Sequence, residues 1–214
     1  MKLMELNKEI EAAAYRIAKQ KFKNDIDEYI EHIKPLYMTR LMKMALRFEE
    51  NEILSPANLR KNIVALLKER VKGELLEIGC GVGINILAFG KGVGIDIDED
   101  SIKIAKETAE KLSIDVDFLV GDAVKLTFDK EFDTVLISLL LHDLKSDGRM
   151  KILRNTLNCL NRGGKVIIVD HIETISEIEK SGSIGLKKID KVMIGKRIER
   201  SSIKTVAFTE WVKT

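Results

Sequence analysis

The fold can be read outward from one stretch, Leu75-Leu76-Glu77-Ile78-Gly79-Cys80-Gly81-Val82-Gly83-Ile84-Asn85-Ile86-Leu87. Its apolar start predicts a short buried strand, its alternating glycines predict a sharp turn, and its apolar end predicts a helix. Glycine lacks a Cβ, so the backbone can turn tightly and a ligand can come close. The free N–H groups at the start of the helix would face that ligand.

The spacing of these glycines differs from that of a dinucleotide-binding loop. In a G-x-G-x-x-G loop the third glycine would stand at the position of Ile84. Here Glu77 precedes glycines at alternate positions instead. A carboxylate ahead of the turn would repel a pyrophosphate, but it suits an amino group or the hydroxyls of a ribose. The stretch therefore favours a nucleoside with a cationic tail over a dinucleotide.

The composition of the whole chain excludes several classes of protein. Its 214 residues suit one domain with a small appendage, and 45% apolar content allows a sizeable core. The 36 basic and 34 acidic residues leave a net charge of +2, which is no electrostatic signature of nucleic-acid binding. Two cysteines form no disulfide framework, so we expect a reducing, cytoplasmic location. No apolar run reaches the length of a membrane span.

Residues 1–72 form a predicted N-terminal helical segment. Apolar residues recur there at helical spacing, Ser55-Pro56 has the sequence of a helix start, and Gly73 that of a helix end. Because the segment precedes the first strand, we expect it to cover the ligand and to shape the pocket of a second substrate. We therefore place a boundary near residue 72, with residues 73–214 as the ligand-binding domain.

From Glu74 onward, strand and helix signals alternate along the chain. This alternation predicts a doubly wound α/β fold, with a mainly parallel sheet covered by helices on both faces. The predicted strands cover residues 75–78, 92–96, 117–120, 134–141 and 166–169. Residues 176–194 are predicted to be helical, although two glycines weaken the pattern. Residues 205–212 form a predicted last strand, with 198–203 as its candidate partner.

Acidic residues follow three successive strands of the predicted sheet. They are Glu77, Asp96 and Asp122. Ligands of an open α/β sheet bind in the crevice beyond the carboxyl ends of the strands. Asp96 could accept hydrogen bonds from both ribose hydroxyls, and Asp122 from the exocyclic amine of an adenine. Singly, each acid could equally be a solvated loop residue, whereas their joint order and spacing are more specific.

Between residue 74 and residue 170 the sequence resembles the class I S-adenosylmethionine-dependent methyltransferases. Five segments carry the resemblance: residues 77–83, 94–96, 121–123, 132–138 with 141–142, and 161–166. The resemblance implies a seven-stranded sheet of order 3-2-1-4-5-7-6 whose last strand is antiparallel. The chain departs from the family in its short, glycine-interrupted tail, where the sixth strand would lie.

The resemblance also implies S-adenosyl-L-methionine as cofactor, together with the residues that bind it. Asp96, with Ile97 beside it, would hold the ribose, and Asp122 with Ala123 would recognise the adenine. The first motif would wrap the methionine and ribose parts with Glu77, Gly79, Cys80, Gly81 and Gly83. The fourth motif would lie along the methionine moiety and the reactive methyl with Ser138 and Leu139.

His142 is the candidate catalytic base, because the fourth strand ends beside the place where the methyl should point. The alternative is a histidine that only orders the loop through local hydrogen bonds. His171 follows the fifth strand, so it could converge with His142, Asp143 and Asp170. No close ligand spacing supports a metal site there, and we predict none.

We interpret the chain as an S-adenosylmethionine-dependent methyltransferase with a small-molecule acceptor. Methyl transfer is an in-line displacement that depends mainly on the alignment of the reactants. Acceptors made of RNA or protein stay open, because basic residues cluster between residues 187 and 200. Two other classes also stay open: a non-catalytic cofactor-binding subunit and, disfavoured by Ile84, a nicotinamide-dependent oxidoreductase.

Overall fold

The computed structural model describes residues 3–22, 54, 56–125, 128, 130–181, 185–199 and 202–213. The helices that the sequence predicts between residues 23 and 53, and Ser55 of the predicted helix start, lie outside these residues. Within them, no helix is both long enough and apolar enough to cross a membrane.

The described residues contain a seven-stranded sheet with strand order β3-β2-β1-β4-β5-β7-β6. The strands are β1 (Leu75–Ile78), β2 (Lys91–Asp96), β3 (Asp115–Val120), β4 (Phe132–Ser138), β5 (Leu160–His171), β6 (Leu186–Glu199) and β7 (Ser202–Lys213). The first five strands pair in parallel, whereas β7 is antiparallel to both β5 and β6. The predicted doubly wound fold and its strand order are therefore confirmed.

Helices cover both faces of the sheet. Successive strand residues point to opposite faces, so Leu75 and Leu136 join one apolar cluster while Leu76 and Val135 join the other. The first face carries α1 (Leu3–Phe22), α2 (Pro56–Arg70), α3 (Ile84–Phe89) and α4 (Glu99–Leu112). The second face carries α5 (Ser146–Asn158) and α6 (Ile172–Lys180). A 3₁₀ turn, Leu141–Asp143, links β4 to α5.

The N-terminal helices α1 and α2 are part of the core of the sheet. Leu6 of α1 and Ile63 of α2 are fully buried, in the same cluster as Leu136 and Phe208 of the strands. Burying an aliphatic side chain of this size contributes roughly 1.5–3 kcal/mol. The described helices are therefore structural elements of the domain, and a role of residues 1–72 as a cover stays a prediction.

The chain segment that enters α2 pairs with the edge strand β6. The backbone N–H of Leu54 donates to the carbonyl of Lys196 at 2.9 Å. At the other end of α2, the Arg70 guanidinium donates to the carboxylate of Glu210 on β7 at 2.8 Å. These contacts hold β6 and β7, at one edge of the sheet, against the two ends of α2.

The predicted helix over residues 176–194 is wrong for its second half. Helix α6 ends at Lys180, and β6 begins at Leu186 and pairs with β7 from Leu186 to Glu199. The last strand is confirmed over residues 205–212, but its predicted partner is wrong, because these residues pair with residues 187–196 and Ile198 lies opposite Ile203. Since β6 runs parallel to β5, its carboxyl end lies at the same edge of the sheet as the ends of β1 to β5.

Candidate active site

The loop between β1 and α3 needs glycine at its alternate positions. Gly79, Gly81 and Gly83 have φ angles of 71°, 53° and 75°, in the left-handed region that side chains with a Cβ rarely adopt. A Cβ at Gly79 would lie 2.7 Å from the side chain of Leu140, and one at Gly83 would lie 2.7 Å from the ring of Phe118. The close packing around this turn therefore depends on the absence of side chains.

Glu77 lies inside the protein and binds the helix that follows the loop. Its carboxylate accepts hydrogen bonds from the Asn85 side-chain amide at 2.7 Å and from the Ile86 backbone N–H at 3.2 Å. Only 1% of the residue is exposed, and this burial raises the pKa of Glu77 to about 7. Glu77 thus fixes the loop to α3, and its predicted contact with the cationic end of a ligand stays a prediction.

The other two acids lie where the sequence places them, beyond β2 and β3. One oxygen of Asp96 accepts from the backbone N–H of Gly81 at 2.7 Å, and the other accepts from the backbone N–H of Asp98 at 3.0 Å. Asp122 accepts from the backbone N–H of Val124 at 2.9 Å. That bond and the nearby Lys125 lower the pKa of Asp122. Both carboxylates are therefore held in fixed positions by the backbone.

A cavity at the carboxyl edge of the sheet brings several predicted residues together. Its lining includes Gly79, Asp96, Ile97, Asp122, Ala123, Val124, Leu140 and Leu144. The Ile97 side chain is 69% exposed although it is large and apolar. The other six predicted cofactor residues do not line this cavity; they lie in β1, in the loop after it, or at the end of β4, and are Glu77, Cys80, Gly81, Gly83, Ser138 and Leu139.

The end of β4 is strained. Leu139 has a φ of 54°, which is uncommon for a residue with a bulky side chain, and its backbone N–H donates to the carbonyl of Val169 at 2.7 Å. The hydroxyl of Ser138 is buried and has no hydrogen-bond partner among the residues that the structure describes. Strained backbone and an unpaired buried hydroxyl both occur where a site is built for a ligand.

His142 is held by the buried carboxylate of Asp170 at the end of β5. Asp170 accepts from the backbone N–H groups of Leu141, at 2.9 Å, and of His171, at 2.7 Å, and one of its oxygens lies 2.9 Å from Nδ1 of His142. The other ring nitrogen, Nε2, lies 3.1 Å from a carboxylate oxygen of Glu199. His142 does not line the cavity beside Asp96.

The two histidines of this region differ in their preference for a proton. Burial alone would lower the pKa of His142, but the hydrogen bond to Asp170 and the charges of Asp170, Glu199 and Asp143 outweigh it and raise that pKa. Burial and the neighbouring His142 lower the pKa of His171. The ring centroids are 4.2 Å apart. The geometry therefore favours one protonated and one neutral imidazole.

Glu199 is the site residue that sequence reasoning misses. Its carboxylate lies 3.1 Å from His142 and 2.7 Å from Nε2 of His171, and its side chain is 15% exposed. Glu199 lies in the segment 198–203 that the sequence predicts only as a partner of the last strand, and nothing in that prediction places its side chain beside His142 and His171. Residues 186–199 show no regular alternation of apolar and polar residues, so the sequence carries no local signal for this strand.

Both cysteines are buried and unreactive. Burial raises the pKa of the Cys80 thiol above its ordinary range, and it raises the pKa of Cys159 to about 11. Cys80 fills the turn after β1, and Cys159 lies in the apolar cluster on the second face of the sheet. Neither thiol is a candidate nucleophile.

The part of the chain that contains β1 to β4 is similar in sequence to known proteins. Residues 75–164 match a family model described as a methyltransferase domain. Over 87 residues the chain is 34% identical to cephaeline 6'-O-methyltransferase CiOMT from Carapichea ipecacuanha. That match covers 37% of this chain and 23% of the plant protein, so it spans less than a quarter of the relative.

Two solved structures share the fold at low sequence identity. N-methyltransferase NodS from Bradyrhizobium japonicum WM9, in complex with S-adenosyl-L-homocysteine, is 15% identical, with a TM-score of 0.61 over 78% of this chain and 90% of NodS. A TehB-like SAM-dependent methyltransferase from Corynebacterium glutamicum is 19% identical, with a TM-score of 0.58 over 72% of this chain and 88% of its own. These likenesses establish the fold.

The fold and the site define a doubly wound α/β protein with an acid-lined cavity at the carboxyl edge of its sheet. Over residues 75–164 the sequence is similar to the methyltransferase domain family. This similarity, together with the fold shared with NodS, which was solved in complex with S-adenosyl-L-homocysteine, supports S-adenosylmethionine as the cofactor.

Proposed function

We propose that the protein transfers a methyl group from S-adenosylmethionine to a small-molecule acceptor. The observation that carries the proposal is the convergence of Gly79, Asp96 and Asp122 on one cavity beside the strained end of β4. When bound, S-adenosylmethionine supplies a methyl group on a sulfonium, which is a good leaving group for in-line displacement. The protein must then bind the donor, exclude water and align the acceptor.

The residues at the adenosine end fit this cofactor. Each oxygen of Asp96 makes one bond to the backbone and keeps a second acceptor position, which suits the two hydroxyls of a ribose. Asp122 and the backbone of Ala123, which line the same cavity, would recognise the polar edge of an adenine. The exposed side chain of Ile97 would lose its contact with water by packing against the flat ring.

At the methionine end, the backbone leaves room for the cofactor. Among the described residues, apart from Gly81 itself and its two chain neighbours, no atom lies within 4 Å of the place where a Cβ of Gly81 would be. Ser138 and Leu139 at the end of β4 would lie along the methionine chain, where the unpaired hydroxyl of Ser138 finds a partner. Glu77 holds the loop to α3 through its hydrogen bonds to Asn85 and Ile86. In its ionised form, its carboxylate would add negative charge on the side of the sulfonium.

His142 is the proposed proton acceptor at the acceptor end. Asp170 fixes the orientation of its ring and stabilises an imidazolium, as an orienting carboxylate does beside a catalytic histidine. A base assists only if the nucleophile must lose a proton, so alignment remains the larger contribution. In the free protein Nε2 of His142 faces Glu199, and an acceptor would have to replace that contact.

A small-molecule acceptor agrees with the near balance of charge over the chain, +2 overall. We propose that the N-terminal segment, residues 1–72, contributes to the acceptor pocket, because α1 and α2 lie on the sheet face that also carries α3 and α4. The basic side chains of β6 keep RNA and protein acceptors within the scope of the test.

The most informative experiment supplies labelled methyl donor to the full chain together with cell extract separated into metabolites, lipids, RNA and protein. Label in the metabolite fraction supports the proposal, and label in RNA or protein alone contradicts the acceptor class. Donor binding without transfer to any fraction would indicate a non-catalytic cofactor-binding subunit. Tight binding of a nicotinamide dinucleotide instead of the donor would indicate an oxidoreductase.

Donor binding is tested directly by Asp96→Ala. We expect calorimetry to show affinity for S-adenosylhomocysteine weaker by roughly 1–3 kcal/mol, the usual cost of losing a hydrogen bond that involves a charged group. Asp115→Ala is the matched control, because Asp115 is exposed at the opposite end of β3. An affinity of Asp96→Ala within a factor of about two of the wild type would contradict the ribose assignment.

A further inference from the structure

Arg60 on α2 contacts the helix that follows the glycine loop. Its guanidinium donates to the side-chain oxygen of Asn85, in the first turn of α3, at 3.0 Å. Arg60 is partly buried, whereas Asn85 is only 1% exposed. Their neighbours Leu59 and Ile86 belong to one apolar cluster, so α2 packs against α3. The N-terminal segment therefore meets the donor site, although it lies outside the residues that match the methyltransferase family, 75–164.

The hydrogen bonds between Arg60 and Glu77 all point toward Glu77. A guanidinium has only N–H donors, so the oxygen of the Asn85 amide must face it. The NH₂ group of the same amide then faces Glu77 and donates to Oε1 at 2.7 Å. The backbone N–H of Ile86 donates to Oε2 of Glu77 at 3.2 Å. Both carboxylate oxygens therefore accept, and an ionised carboxylate accepts more strongly than a protonated one.

The groups that face Glu77 in the described part of the chain have opposing effects on its charge. Burial favours the protonated form most strongly, and the negative charge of Asp96 acts in the same direction. The hydrogen bond from Asn85, the positive charge of Arg60 and a backbone N–H favour the ionised form. The thiol of Cys80 stays neutral, because burial raises its pKa. Among these groups Arg60 is the cation, so its loss would leave Glu77 facing a negative charge without a positive one.

We propose that Arg60 is a positioning residue of the donor site, which acts through Asn85 to keep the buried carboxylate of Glu77 ionised. Arg60 does not line the donor cavity. The ionised carboxylate holds the glycine loop to α3 and faces the side of the sulfonium with negative charge. The effect on the donor rests on the proposed function, whereas the effect of Arg60 on Glu77 is a property of the free protein.

The positioning role of Arg60 gives the affinity for the methyl donor a defined pH dependence. Protonation of Glu77 removes its charge and weakens its bonds to the loop. The donor should therefore bind more weakly as the pH falls through the pKa of Glu77, which is about 7. Without Arg60 the ionised form is less favourable, so the same loss should begin at a higher pH. A residue that only stabilised the fold would change the affinity equally at every pH.

The test compares the wild type with Arg60→Met by calorimetry of S-adenosylmethionine binding at several pH values. Methionine keeps an unbranched apolar stem but has no charge and no N–H donor. We expect the wild-type affinity to rise with pH, and the midpoint for Arg60→Met to lie roughly half a pH unit or more higher. At about pH 6 the variant should bind roughly threefold more weakly, and the difference should shrink as the pH rises. Titration of the donor itself contributes equally to both proteins.

Lys61→Met is the matched control, because Lys61 is exposed at the next position of α2 and carries the same charge as Arg60. Its pH profile should equal that of the wild type. In Glu77→Gln, which cannot titrate, the added substitution Arg60→Met should no longer shift the profile. Identical profiles for the wild type and Arg60→Met would overturn the proposal. A loss in Arg60→Met that has the same size at every pH would overturn it as well.

A second measurement needs no donor and keeps this inference separate from the proposed function. Urea denaturation of the wild type against Glu77→Gln gives the pH at which Glu77 loses its proton in the free protein. The same comparison between Arg60→Met and the double variant gives that pH without the guanidinium. We expect a higher value, and an equal value would overturn the role of Arg60 even if the donor binds. If no donor binds at any pH, the proposed function fails, while a higher value in the free protein still supports the action of Arg60 on Glu77.

Discussion

At the scale of single residues, Gly83 shows how the site depends on missing side chains. Its φ of 75° and the Phe118 ring, 2.7 Å from a hypothetical Cβ, make alanine doubly unfavourable there. We expect Gly83→Ala to lower the free energy of unfolding by about 1–3 kcal/mol and to weaken donor binding. Chemical denaturation and calorimetry measure the two effects.

Gly148 provides the control for that substitution. It lies in the first turn of α5, has no positive φ, and its nearest neighbour to a Cβ is 3.8 Å away. Gly148→Ala should therefore raise the free energy of unfolding by about 0.4–1 kcal/mol through the higher helix propensity of alanine. Equal effects of the two substitutions would contradict the strain argument at Gly83.

Glu77 gives a pH dependence whose sign follows from its burial. Its pKa is raised to about 7 in the folded protein, so the folded state holds this proton more tightly than the unfolded state does. The stability of the wild type relative to Glu77→Gln, which cannot titrate, should be greatest below about pH 4.5 and should fall as the pH rises through 7. The full loss is about 3 kcal/mol.

Urea denaturation of both proteins at several pH values measures this difference. The comparison removes the contributions of all other titrating groups, which the two proteins share. A difference that stays constant within about 0.5 kcal/mol from pH 5 to pH 8 would show that Glu77 ionises normally inside the fold.

The sequence predicted the positions of these residues better than their contacts. Asp96 and Asp122 lie at strand ends that could be placed from apolar runs, because parallel strands end at one edge of a sheet. The carboxylate of Glu77 turns instead toward Asn85 and Ile86. The direction of the Glu77 side chain depends on how closely α3 packs against β1, and this packing distance cannot be predicted from the local sequence pattern.

At the scale of elements, β6 shows where sequence pattern fails. Its residues include lysines and a glycine, which read as a weak amphipathic helix when taken alone. The strand exists because it pairs with β7 along its whole length and receives the N–H of Leu54 on its other edge. Tertiary pairing overrides propensity here, and Glu199 could not be recognised as a site residue without it.

Helix α1 provides a test of whether the N-terminal segment is part of the fold. Leu6 is fully buried beneath α1, whereas Lys8 on the same helix is exposed. Leu6→Ala should cost about 2–5 kcal/mol of unfolding free energy, because it leaves a cavity in the shared core. Lys8→Ala should change it by less than about 0.5 kcal/mol. A small effect of Leu6→Ala would mean that α1 is only loosely attached.

At the scale of the whole molecule, two polar regions lie at one edge of the sheet and meet beyond β4. The cavity is lined from beyond the ends of β1, β2, β3 and β4, whereas Asp170, His171 and Glu199 lie at the ends of β5 and β6. Leu140, which lines the cavity, is separated from His142 by a single residue. The short 3₁₀ turn after β4 therefore joins the two regions, and we propose that the acceptor binds beside it.

Stabilisation of the folded chain by S-adenosylhomocysteine, the product left by the methyl donor, tests the assignment of the donor site. S-adenosylhomocysteine at 100 times its dissociation constant should stabilise the folded chain by about 2.7 kcal/mol. For a chain of this size, that corresponds to a rise in melting temperature of roughly 5–11 °C. At the same concentration Asp96→Ala should show a clearly smaller rise, and a nicotinamide dinucleotide should produce none with the wild type. An equal rise in Asp96→Ala and in the wild type would contradict the assignment of the donor site.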